Sequence, residues 1–319
     1  SKHRPKIDTR IPLFNACVAR PVPKKEMEGN KECKAAVDKE WKKLFDKETF
    51  YINDVREWGD VQAEANRQKK TIHIGRVFGI MVEKNFECPE KRKYKYRVVF
   101  QGNNVHTQNY EVAIFQDLGS SPASMEASKA VCCYGCFPGH ETQQADAEQA
   151  YVQAELTGTE TWVMLPDVAW PDSWWKNTPS TTSGAADRTP VYRRPVVRLR
   201  KALYGHPDSG TMWEQHCHNK CLSVGFESIP NWPSCYFHKQ LKLMLTIYVD
   251  DFLLGGPKGH LPKGWKMLSN VLQLEPEPDG GRVLDRYLGC KHTKIDVDVP
   301  GVGKVSKMIF DMEDYMQSI

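Results

Sequence analysis

Two adjacent carboxylates, Asp250 and Asp251, interrupt a stretch that is otherwise mostly apolar. Residues 241–256 read Leu-Lys-Leu-Met-Leu-Thr-Ile-Tyr-Val-Asp-Asp-Phe-Leu-Leu-Gly-Gly. Apolar runs of this length, flanked by turn residues, predict a strand, a tight turn and a second strand. The aspartates then sit at a hairpin tip between two strands that both seek burial. An Asp-Asp pair is most often a solvated turn. Here the apolar flanks make that uncomfortable, because two crowded carboxylates repel unless a cation neutralises them. A divalent metal with oxygen ligands is the natural partner.

Other residue groups suggest different chemistry. The run 91–97, Lys-Arg-Lys-Tyr-Lys-Tyr-Arg, alternates cations with aromatics. Such a run is either a solvated face or a surface for phosphates and bases. Cys133 and Cys136 have a CxxC spacing, and His216-Cys217-His218 with Cys221 lies downstream. A zinc site needs both halves brought together. Helix-face cysteines are more commonly small buried hydrophobes.

The elements that must position these groups follow from periodicity. A chain of 319 residues holds two domains or one large domain with subdomains. A net charge of +4 does not by itself announce a nucleic-acid partner. No apolar run approaches the roughly 20 residues needed to span a membrane, and no signal-peptide pattern follows Ser1. The ten scattered cysteines favour a reducing compartment. Residues 1–32 read as an arm that docks elsewhere or stays loose. Ala36, Trp41, Leu44 and Phe45 share one face of a helix over 35–50. Strands are expected over 71–86 and 96–100, joined by a hairpin loop at 85–90. Helices are expected over 123–137, 210–225 and 264–274. A short strand ends at Asp146 and turns into a helix. Residues 166–190, rich in Trp, Pro, Ser and Thr, form an irregular loop, with the tryptophans a candidate contact surface. Strands are expected over 282–298, and the last ten residues resemble the start of a helix.

Five blocks then occur in a telling order: Lys-Tyr-Arg-Val-Val-Phe-Gln-Gly (95–102), Gln-Ala-Asp-Ala-Glu-Gln-Ala-Tyr-Val-Gln-Ala-Glu-Leu (144–156), Arg-Lys-Ala-Leu-Tyr-Gly (200–205), Tyr-Val-Asp-Asp (248–251) and Tyr-Leu-Gly (287–289). In that order the chain resembles the reverse transcriptase of Ty1/copia-type LTR retrotransposons, over roughly residues 34–319. The resemblance implies an α+β right-hand polymerase, with fingers and an antiparallel palm sheet packed on helices. Its implied divisions are an arm or linker (1–33), fingers (34–120), palm (121–155), fingers again (156–203), palm again (204–300) and the start of a thumb or connection (301–319).

The implied activity is RNA-directed DNA synthesis with two Mg²⁺ (or Mn²⁺) ions roughly 3.5–4 Å apart. Asp146, Asp250 and Asp251 would be the catalytic metal ligands, with the Ala147 carbonyl a further one. Lys84 and Arg97 would reach the triphosphate of the dNTP. Tyr151 matches the aromatic gate beneath the sugar, and Tyr204 with Gly205 the strip under the nascent base pair. Tyr248 and Val249 of the hairpin, and Leu288 and Gly289 of the primer grip, would face primer and template. The implied partners are an RNA template, a DNA or RNA primer and dNTPs, with no membrane. The compartment would be cytoplasmic, in a virus-like particle, or nuclear, and not secretory. The thumb and RNase H parts of such a Pol polyprotein are not recognisable in the chain, as expected of an excised fragment or a degenerate copy. His206-Pro207-Asp208-Ser209-Gly210 departs from the family's Leu-Lys-Gln-Ala-Pro, so the loop near the templating base is differently built. The alternative expectation is a retroelement-derived module that binds nucleic acid or a protein partner without catalysis.

Overall fold

The computed structural model describes residues 19–86, 89–115, 119–178, 187–275, 281–313 and 316. It mixes helices with sheets that are almost wholly antiparallel, the α+β class expected. Two large sheets dominate, each with its own apolar core.

The first sheet has seven strands built around the long strand His73–Lys84. Lys93–Phe100 pairs with it from Lys84↔Lys93 to Val77↔Phe100. Thr161–Met164 joins on its other side in a parallel pairing, the one such pairing among the described residues, and Pro195–Arg198 follows. Val77 and Met81 alternate inward while Phe78 and Ile80 stay exposed, the period of a sheet covered on one face. The cover is the helix Lys31–Asp46, whose Cys33, Val37, Trp41 and Leu44 form a single buried stripe. Its start is fixed by Asn30, whose side chain accepts from the Glu32 and Cys33 amides.

The second sheet runs in the order Glu227–Ser228, Cys235–His238, Leu243–Tyr248, Asp251–Pro257, His140–Asp146 and Arg282–Val283. Leu243, Leu245, Ile247, Phe252 and Leu254 pack with Trp213, Cys217 and Cys221 of the helix Ser209–Ser223 and with Trp265 and Leu268 of Leu261–Ser269. Leu253 points the other way, onto Val131 and Cys132 of the helix Met125–Gly135. That helix lies very close to the sheet. A Cβ on Gly255 would stand 2.8 Å from a Val131 methyl, and one on Gly135 would collide with the Thr142 hydroxyl.

Several expectations need correction. Residues 19–33 are built into the fold rather than loose: Ala19–Pro21 is an edge strand on Val82–Lys84, and Arg20 pairs with the buried Glu83 at 2.7 Å. Residues 1–18 lie outside the described residues. Within 166–190, Trp175–Thr178 and Asp187–Pro190 make a two-stranded hairpin. Trp174 is buried, and Trp170 packs on it and on Trp175 at 5.8 and 5.1 Å, so these rings chiefly serve the core. The segment after Asp146 forms a short 3-10 turn, Ala150–Gln153, not an α-helix. Near the end, Gly303–Asp311 is a strand paired with Cys290–Val299, so the 300/301 division cuts through a hairpin. Of the helical start expected over 310–319, Phe310 and Asp311 belong to the strand and Glu313 and Met316 are helical, while 314, 315 and 317–319 lie outside the described residues.

Candidate functional site

The apolar strands Leu243–Tyr248 and Asp251–Pro257 pair down to Tyr248↔Asp251, leaving Val249 and Asp250 as a two-residue turn. Val249 has φ +56°, a left-handed conformation that a β-branched residue rarely adopts. Such a conformation costs about 1–3 kcal/mol and persists only where neighbours hold it. The holder is Trp213, whose indole Nε1 donates to the Val249 carbonyl at 2.7 Å. The Ala147 amide donates to the Asp250 carbonyl at 2.7 Å from the adjoining strand end.

Across that junction, His140–Asp146 pairs with the returning hairpin strand so that Asp146 stands in register with Asp251. Asp146, Asp250 and Asp251 therefore gather at one end of the sheet. The Glu275 amide donates to the Asp146 carbonyl at 2.7 Å, and the Glu148 amide to that of Gln273. These bonds flank the Ala147↔Leu274 bridge without using the Ala147 carbonyl. The Asp251 carboxyl is pushed up to about 7, first by burial and then by the charges of Asp250 and Asp146. It also shares a hydrogen bond with Asp146. On the other side Arg282 Nη2 donates to Asp146 Oδ2 at 2.7 Å.

Among the described residues, no three His, Cys, Asp or Glu side chains are arranged as a metal site. The chemistry of the donors nevertheless fits a hard divalent cation: all are oxygens, and their mutual repulsion is what such an ion relieves. In this conformation the repulsion is met by Arg282 and by the raised Asp251.

The first sheet's exposed side reaches toward the carboxylates through Tyr204, whose ring meets Arg97 and whose hydroxyl feels the Asp250 charge. In the register Ile80↔Arg97, Val82↔Lys95 and Lys84↔Lys93, the basic residues fall on one face. The Lys95 ammonium is lowered, first by burial, then by Arg97 and Lys84. Among the described residues, Lys84, Lys95 and Arg97 have no ion-pair partner. Crowded cations of this kind suit a polyanion.

Tyr204 connects the two sheets. Its backbone carbonyl accepts from the Phe100 amide at 2.7 Å. The next residue has φ +86°, and a Cβ there would sit 2.2 Å from the Phe100 carbonyl oxygen, so only Gly205 permits the contact. The Tyr204 ring stacks edge-on against Tyr151 at 4.6 Å, and the Arg97 guanidinium lies 5.7 Å from its centroid. Its hydroxyl is pushed up to about 12, by burial and then by the Asp250 charge. The Tyr151 hydroxyl is raised for the same two reasons. Tyr151, Trp213, Ile247 and Val249 line a small apolar cavity beneath the turn.

The variant loop after Gly205 is tied into the core. Ser209 Oγ donates to the Leu203 carbonyl at 2.7 Å and accepts from its amide at 2.9 Å. The His206 ring is buried against Phe100 and Phe115, and burial lowers its pKa to about 4.

The remaining expected residues flank two turns. Leu288 (φ +49°) and Gly289 (φ +80°) form the turn between Arg286–Tyr287 and Cys290–Val299, with Leu288 packed on the Val131–Tyr287 cluster. Tyr248 is partly exposed beside Asp251. Cys217 and Cys221 are buried and their thiols raised by burial, Cys221 to about 12, so they behave as apolar residues. Lys95 is marked by sequence only within the 91–97 basic run, and Trp213 and Arg282 carry no local sign of a role in the site. Lys95 had a signal, standing two residues before Arg97; the other two act through contacts 36 and 136 residues apart.

No family model matches the chain. Among the described residues, no helix is long and apolar enough to cross a membrane.

Proposed function

We propose that the chain is an RNA-directed DNA polymerase of the Ty1/copia retrotransposon kind, the seven-stranded sheet serving as fingers and the six-stranded sheet as palm. The observation that carries this is the pairing of Asp146 with Asp251 beside the Asp250 turn, tied through Tyr204 to the Lys84, Lys95 and Arg97 face. An acidic strand end linked through one tyrosine to a basic sheet face suits a nucleotide whose triphosphate is bound on one side and whose α-phosphorus reacts at the other.

In this reading Asp146 and Asp250, with Asp251 and the Ala147 carbonyl, hold two Mg²⁺ or Mn²⁺ ions. Bound there, the ions would stabilise the charge that develops in phosphoryl transfer. Arg97 grips two oxygens of the triphosphate through its planar fork, while Lys95 and Lys84 add point charges. Tyr204 and Gly205 support the nascent base pair. The Tyr151 ring fills the space that a ribose 2′-hydroxyl would need. Trp213 keeps the Val249 turn in the conformation that presents Asp250. The Leu288-Gly289 turn supports the primer, and the RNA template and DNA or RNA primer lie along the cleft.

A second reading, a nucleic-acid-binding or interaction module without catalysis, is favoured by one observation: Asp146 is already engaged by Arg282. Primer extension on an RNA template with Mg²⁺ or Mn²⁺ tests both. The polymerase reading expects template-directed extension that Asp250→Asn removes. Tight primer–template binding without extension supports the module instead.

A further inference from the structure

A cluster of three carboxylates must be neutralised even when no metal is bound, and the chain supplies a cation of its own. Arg282 opens the strand Arg282–Val283 in register with Gln144. Asp146 lies two residues beyond Gln144 on the same strand, hence on the same face. The guanidinium is thereby delivered across the strand to Asp146 Oδ2 at 2.7 Å. The two side chains retain 36% and 30% exposure, so solvent and small ions reach the pair. On the far side of Asp146 stand Asp251 and the Asp250 turn.

We infer that Arg282 is a displaceable counter-ion, holding Asp146 while the site lacks metal and giving way when a divalent cation arrives. The cation's identity rests on the polymerase reading; the exchange itself rests on the geometry. A guanidinium and a divalent ion on one carboxylate repel at short range. A part-exposed ion pair is weak and breaks at little cost. A divalent ion drawing on Asp146, Asp250 and Asp251 together gains more than the Arg282–Asp146 pair loses.

The assignment has two consequences of opposite sign. Arg282 stabilises the metal-free chain by relieving carboxylate repulsion, and it weakens metal affinity by competing for Asp146. A residue that merely braces the strand would stabilise the fold and leave metal affinity alone or improve it.

The test is Mn²⁺ titration of the full chain without nucleic acid, read by the spin-resonance signal of free Mn²⁺, with melting curves with and without the ion. Arg282→Gln is expected to melt lower without Mn²⁺ yet bind it about fivefold tighter or more. Arg282→Lys keeps the charge and should stay near wild type, and Asp146→Asn should lose most binding. Arg282→Met, which keeps the apolar stem, carries the same expectation if the Gln variant is unstable. Unchanged or weaker Mn²⁺ binding by a folded Gln or Met variant overturns the inference, as does a Lys variant that binds as tightly as the Gln variant. If wild type binds Mn²⁺ through Asp146 and the Gln variant is unchanged, the counter-ion role falls alone. If neither wild type nor the Gln variant binds Mn²⁺, the metal-site reading falls with it.

Discussion

The acidic end of the six-stranded sheet and the basic face of the seven-stranded sheet treat charge in opposite ways. The acidic end neutralises itself, with Arg282 on Asp146 and a raised carboxyl at Asp251. On the basic face, Lys84, Lys95 and Arg97 stand side by side without an ion pair among the described residues, Glu40 and Glu275 reaching Lys95 only through their charge. The contrast follows from position. The carboxylates sit where two apolar strands end, partly out of water, and cannot stay charged together without help. Lys84 and Arg97 sit on an exposed sheet face where water screens them, with Lys95 half-buried beside them. On the proposed reading, one surface takes a small cation and the other an extended anion.

The largest expected effect lies on the acidic side. Asp250→Asn and Asp146→Asn should each lower nucleotide incorporation about a thousandfold or more. Asp250→Asn should leave the melting temperature near wild type. Wild-type extension rates in either variant would remove the acidic end from the chemistry.

On the basic side, Arg97→Ala should reduce kcat/KM for dNTP by about 10–100-fold, and Arg97→Lys should recover only part, because a point charge cannot replace a bidentate fork. Lys95→Ala should cost less. Equal losses for Lys and Ala at position 97 would mean that shape, not charge, is what Arg97 contributes.

Tyr151 lies between the two surfaces. Tyr151→Val should shift the ribo- to deoxynucleotide preference by about a hundredfold if the ring blocks the 2′-hydroxyl. If the ring serves mainly to fill the apolar cavity, truncation should instead lower stability by about 3–5 kcal/mol and leave the ratio unmoved. Incorporation ratios measured beside melting curves separate the two.

The smallest effect is on stability against pH, and it has opposite signs at two sites. Asp251 has its folded pKa raised from 3.8 to about 7, so its protonated form is favoured by folding. Its contribution is present below pH 4 and is lost as pH rises through about 7. His206 has its folded pKa lowered from 6.5 to about 4, so its contribution is present above pH 6.5 and is lost as pH falls toward 4. Asp251→Asn should flatten the first slope and His206→Gln the second. The two slopes overlap and oppose each other between about pH 4 and 6.5, so melting curves of each variant against the wild-type metal-free chain from pH 4 to 8 separate them.

The sequence was most legible where local pattern decides structure. The apolar runs around Asp250 and Asp251 specify a hairpin, and the structure has one. The stripe through Trp41 and Leu44 specifies an amphipathic helix, found at Lys31–Asp46. What escaped was long-range. The register of Asp146 against Asp251 joins segments about a hundred residues apart, and the Arg282 pair spans 136. The strand Ala19–Pro21 is too short to carry a period, and pairing with Val82–Lys84 alone makes it a strand. Gly303–Asp311 takes its extended form from nine register positions with Cys290–Val299, overriding a local pattern that resembles a helix start. The role of Trp213 was hidden because helical spacing explained its burial, and only the bond to Val249 reveals a second task.

The central claim is that the two surfaces are halves of one nucleotide site. The most direct measurement is dNTP affinity in a non-reacting complex of the chain with an RNA template, a primer ending in a dideoxynucleotide, and Mn²⁺. The account predicts retention of the complementary dNTP alone, weakened about tenfold or more by Arg97→Ala and lost in Asp250→Asn. Affinity indifferent to the templating base, or unchanged in both variants, would contradict it.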